Sequence, residues 1–67
     1  MEKGWIQVAS YAMVAIAELK KSVLENAGIP VILMNKSDSS YLFGELELYV
    51  KHDDVIRSKM ILNEEVA

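Results

Sequence analysis

The sequence predicts an α+β domain of element order β-α-β-β-α, and three stretches carry that prediction. Residues 11–27 are rich in Ala, Leu, Glu and Lys, which favour a helix by intrinsic propensity. Between Leu24 and Met34 the hydrophobic period then changes from helical to extended, across Gly28 and Pro30. Residues 45–51 alternate strictly, with Leu46, Leu48 and Val50 on one side and Glu45, Glu47, Tyr49 and Lys51 on the other.

Taken in order, residues 5–9 form the first strand, a loosely alternating Trp-Ile-Gln-Val-Ala. Ile6 and Val8 are expected to face the core, with Trp5 and Gln7 on the wetter side. Ser10 stands where an N-cap would, because its hydroxyl can accept from the free amides of a first helical turn. The helix over 11–27 is less simple than one apolar stripe. At about 100° per residue, Met13, Ala17, Leu24 and Ala27 share one side, and Ala12, Ile16, Leu19 and Val23 share the next. Lys20 falls inside the combined arc, and Glu18, Lys21, Ser22 and Glu25 form the solvated back. Either Lys20 lays its stem over a broad core face and lifts its ammonium into water, or it marks a seam. In the second case the Ile16-Leu19-Val23 stripe is buried by another chain.

Gly28 suits the left-handed position that closes a helix, and Pro30 lacks the amide a continuing helix needs. Residues 29–34 are apolar at every position, the pattern of a strand covered on both faces. Residues 35–44 are the longest loop; turn formers come first, followed by Tyr41, Leu42 and Phe43. Those three either fold over the sheet edge, extend the next strand, or offer a contact surface. After the third strand, His52-Asp53-Asp54 open a second helix, with Asp53 as N-cap and Asp54 placed well against the helix dipole. It runs to about Glu65, with Val55, Ser58, Ile61 and Leu62 toward the core and Ile56 and Met60 on another side.

A right-handed crossover joins the first two strands, and inserting the third between them gives sheet order 1-3-2 with both helices on one face. This is a ferredoxin-like arrangement lacking its last strand, which leaves the first strand with an open edge. The 67 residues make one small domain that buries only about 60% of its unfolded surface. Without cysteine there is no disulfide or thiolate metal site, so oligomerisation is the remaining common support. A net charge of -3 disfavours nucleic acid, and no apolar run reaches signal-peptide or membrane-span length. A cytoplasmic location is expected.

Two stretches carry a resemblance: Ala17 through Leu24-Glu25 to Gly28-Ile29-Pro30, and Leu48 through Val50 and Asp54 to Ile61-Leu62. On these the chain resembles a family of very small prokaryotic domains of unknown function, labelled as signal-transducing and likened to PII-type nitrogen regulators. The resemblance implies the ferredoxin-like fold and a regulatory or binding role. Lys20 and Val23 depart from the usual apolar and polar residues there, and Lys51 and Ser58 replace the common proline and alanine.

No catalytic constellation stands out. His52 beside Asp53 and Asp54 fits a helix start, the Ser37-Asp38-Ser39-Ser40 cluster fits a turn, and three separated glycines do not cradle a phosphate. The expectation is a protein that is not an enzyme and holds no cofactor or metal. Two functional readings stay open. In the first, an interaction module, with a homodimer favoured or another protein as partner, uses Ile16, Leu19, Lys20, Val23, Ile56 and Met60. In the second, a metabolite is sensed near the 35–44 loop through Lys36, Tyr41 and Phe43.

Overall fold

The computed structural model describes residues 4–36 and 43–64. Its elements are β1 (Trp5–Met13), α1 (Val14–Asn26), β2 (Val31–Asn35), β3 (Phe43–Lys51), the short 3₁₀ turn η1 (His52–Asp54) and α2 (Val55–Glu64). The sheet order is β1-β3-β2, and both outer strands run antiparallel to β3. The predicted β-α-β-β-α, ferredoxin-like arrangement is therefore the observed one.

Strict alternation along β3 dictates where the core lies. Leu46, Leu48 and Val50 are buried on the face that meets both helices. Leu24 of α1 and Leu62 of α2 close over Leu48 and Val50, and Ile29 completes the cluster. Burying each such side chain stabilises the fold by about 1.5–3 kcal/mol before the entropy of ordering is set against it.

The joint after α1 is a Schellman motif. Ile29 N–H donates to the Leu24 carbonyl at 3.1 Å and Gly28 N–H to that of Glu25 at 2.9 Å. Gly28 sits at φ 84, and the Leu24 and Ile29 side chains flanking it pack in one cluster, the apolar contact that accompanies this cap. Chain direction is thus set by three adjacent features of the sequence.

Three expectations are corrected. Ser10 is no N-cap: β1 runs on to Met13, Ser10 lies opposite Glu47, and Met13 caps α1 without a side-chain bond. Tyr11 and Ala12 therefore belong to the strand, because nine residues of β3 offer cross-strand hydrogen bonds that outweigh a helix propensity worth tenths of a kcal/mol per residue. In β1 the register shifts between Gln7 and Ala9, and Val8, Ala9 and Tyr11 are the residues that pack against the core. Ile6, expected inside, pairs with Val50 at the sheet's end and stays 40% exposed. In β2 Val31 and Leu33 touch the core, while Ile32 and Met34, likewise half-buried, share the opposite face with Tyr49 and Glu47. Asp53 is not a cap either; Lys51 holds that position with extended backbone, and Asp53 and Asp54 lie in the first turn.

Candidate interaction surface

Helix α1 buries Ala17 and Leu24, and α2 buries Ser58 and Leu62. Since β1 and β2 both oppose β3, α1 and α2 run antiparallel on their shared face of the sheet. In such a pair, the residue just before a buried position lies on the flank facing the neighbour in both helices, or in neither. Arg57 precedes Ser58, and its Nη2 donates to the Ala27 carbonyl at the end of α1, 2.8 Å away. The inward flanks are therefore the ones carrying Arg57, Ile16 and Val23.

Leu19 stands one turn from Val23 on the crest above that flank, and Met60 holds the equivalent crest on α2, with Ile56 one turn before it. These residues leave apolar surface exposed on the outer side of both helices. Exposures are 38% for Ile16, 56% for Leu19, 76% for Ile56 and 61% for Met60, while Val23 is half-buried. One exposed leucine needs no explanation, whereas four large apolar residues exposed on two adjoining helices make a candidate contact surface. Lys20 is half-buried between this surface and the core stripe. On the far side of α1 the surface is polar, with Lys21 Nζ 3.4 Å from Glu25 Oε2.

The sheet's other face is built differently. Tyr49 donates its hydroxyl proton to Glu47 Oε1 at 2.6 Å, and Lys36 Nζ lies 3.3 Å from the same oxygen. The hydrogen bond from Tyr49 chiefly holds the Glu47 carboxyl below its usual range, and the bonds to Glu47 raise both Tyr49 and Lys36. Lys51 Nζ sits 5.0 Å from the Trp5 ring centre, a cation–π contact between residues paired across β1 and β3.

Of the residues expected at a ligand loop, Lys36 faces Glu47 on the sheet, so a ligand there competes with an existing carboxylate. Tyr41 lies outside the described residues. Phe43 opens β3 opposite Met13 rather than ending a loop, and its side chain lies outside the described residues. His52 Nδ1 is 3.5 Å from Asp53 Oδ1 with both side chains almost fully in solvent. Among the described residues no three His, Asp or Glu side chains gather as a metal site, and no helix is long and apolar enough to cross a membrane.

A family model described as "Putative prokaryotic signal transducing protein" matches residues 5–65, which takes in every element from β1 to α2. The chain belongs to this family. Comparisons with curated proteins and with solved structures find no match. In this family member the residues behind the earlier resemblance are the cap at Gly28 and the core at Leu24, Leu48, Val50 and Leu62, which maintain the fold. The exposed apolar residues on the helices lie outside that set. The i, i+3, i+7 spacing on α1 and the Ile56 and Met60 pair on α2 were legible in the sequence, whereas which flanks of the two helices face each other required the placement of Arg57.

Proposed function

We propose that this chain is a signal-transducing interaction module that works by self-association, burying the outer face of its helical layer against a second copy. The large apolar residues Ile16, Leu19, Ile56 and Met60, exposed on two adjoining helices with half-buried Val23 beside them, are the observation that carries this reading. A domain of 67 residues without cysteine gains the apolar burial it otherwise lacks when such a surface is covered. Lys20, at the margin, keeps its ammonium in water while its stem covers the seam.

Sedimentation equilibrium of the wild type and of Leu19→Glu tests this. Leu19 has 56% of its surface still to bury, worth about 1–1.5 kcal/mol per copy. Losing it from both copies of a two-fold interface, with two carboxylates desolvated besides, weakens association at least about 100-fold. Circular dichroism should be unchanged, since Leu19 lies outside the core. A wild type that stays monomeric at high concentration, or a variant that associates like the wild type, overturns the reading.

A further inference from the structure

The outer side of the helices carries one thioether. Of the described methionines, Met34 is half-buried on the opposite face of the sheet, where it pairs with Glu47. Met13 ends β1 opposite Phe43, with 43% of its surface exposed. Met60 is 61% exposed on α2, one turn from Ile56. The chain has no cysteine, so thioethers are its only sulfur, and Met60 is the most open of those described.

We propose that Met60 is a redox-sensitive switch on self-association: a peroxide oxidises its thioether to the sulfoxide, and the oxidised chain stays apart. This switch rests on the helical-face reading above and adds control of that same surface. The step balances with peroxide as the oxidant. The sulfur lone pair attacks one peroxide oxygen, an S–O bond forms and the O–O bond breaks. The proton of the transferred oxygen passes to the departing hydroxide, which leaves as water. Sulfur is thereby oxidised by two electrons and the peroxide reduced. Reduction of the sulfoxide by a reductase restores the thioether, which makes the change a switch rather than a lesion.

The effect on association follows from polarity. A thioether is a flexible apolar group that moulds itself to a partner surface, whereas the sulfoxide oxygen is a hydrogen-bond acceptor. The other large residues exposed on this surface, Ile16, Leu19 and Ile56, have no side-chain donor to offer it. Closing the contact therefore strands that oxygen away from water, and in a symmetric contact both copies carry the penalty. Met60 is open in the free chain and covered in the associated one, so peroxide acts on the dissociated fraction and prevents its return. The fold is spared, because Met60 lies outside the core cluster.

Sedimentation equilibrium before and after hydrogen peroxide, with oxidised residues located by peptide mass spectrometry, tests the switch. Oxidation at Met60 should raise the dissociation constant about 100-fold, about tenfold from each copy, with circular dichroism unchanged. Met60→Gln, which sets a polar side chain of similar length there without peroxide, should weaken association to a similar extent. Met60→Leu should associate like the wild type and keep its association after peroxide, although Met13 is still oxidised. At fixed peroxide, the initial rate of Met60 oxidation should fall as protein concentration rises. A wild type whose association survives full oxidation of Met60 overturns the switch and leaves the helical-face reading standing. So does a Met60→Leu chain that peroxide dissociates as readily as the wild type. An associating wild type whose Met60 oxidation rate ignores concentration overturns both, as does a wild type that is monomeric throughout.

Discussion

Replacing Gly28 by alanine isolates the backbone contribution of the joint between α1 and β2. Gly28 holds φ 84, where a β-carbon meets its own following carbonyl, at a cost of about 1–2 kcal/mol for an L-residue. Among the described residues an added Cβ meets nothing else within 4 Å, so no packing clash enters. Against this, alanine narrows the unfolded ensemble and returns about 0.4–1 kcal/mol. The net loss is about 1 kcal/mol, which in a domain of this size lowers Tm by about 4–8 °C. Urea unfolding followed by circular dichroism measures it, and the m-value should be unchanged because the native surface is the same. Gly28→Asn should lose less, since asparagine tolerates the left-handed region. A Gly28→Ala protein as stable as the wild type refutes the reasoning, because the strain would then be absent. A loss above about 3 kcal/mol refutes it differently, by showing that the Ile29 and Gly28 cap bonds fail altogether.

Two further outcomes follow from buried and paired groups. Ser58 is completely buried and its Oγ has no hydrogen-bond partner among the described residues, so Ser58→Ala removes a desolvated hydroxyl and improves helix propensity. It should raise stability by about 0.5–1.5 kcal/mol in chemical denaturation; destabilisation would mean that the hydroxyl makes a bond this geometry lacks. Because the folded Glu47 pKa is lowered, its contribution is present above the unfolded glutamate pKa and is lost as pH falls through the folded value. Tyr49→Phe removes the main cause, so an NMR titration of the Glu47 carboxyl carbon should move back toward the ordinary range and the acid-side loss of stability should shrink. An unmoved titration would mean that Lys36 alone holds the carboxylate.

The strongest elements were legible because their causes are local. Gly28 followed by Pro30 stops a helix wherever it occurs, and Leu46, Leu48 and Val50 declare a buried face at a spacing no helix shares. The exposed stripe on α1 was legible for the same reason: Ile16, Leu19 and Val23 exceed what one sheet face can cover. Val55, Ser58, Ile61 and Leu62 were likewise readable as the inner side of α2, although the cap before it was misplaced from Lys51 to Asp53.

Residues 10–13 show where local reading ends. Ser10, Tyr11, Ala12 and Met13 suit a helix start by composition, yet they extend β1 because β3 is long enough to pair with them as far as Phe43. A residue's partner across the sheet lies dozens of positions away, and no local period encodes it. The inward turn of Ala9 and Tyr11 has the same origin, since the register shift after Gln7 re-aims the strand. Sequence by itself determined the order of elements, the joint at Gly28 and the inner face of each helix, all of which follow from backbone preference and periodicity. Tertiary structure alone decided how far β1 runs, how its register shifts turn Ala9 and Tyr11 inward and which flanks of α1 and α2 face each other, because each depends on contacts between segments far apart along the chain.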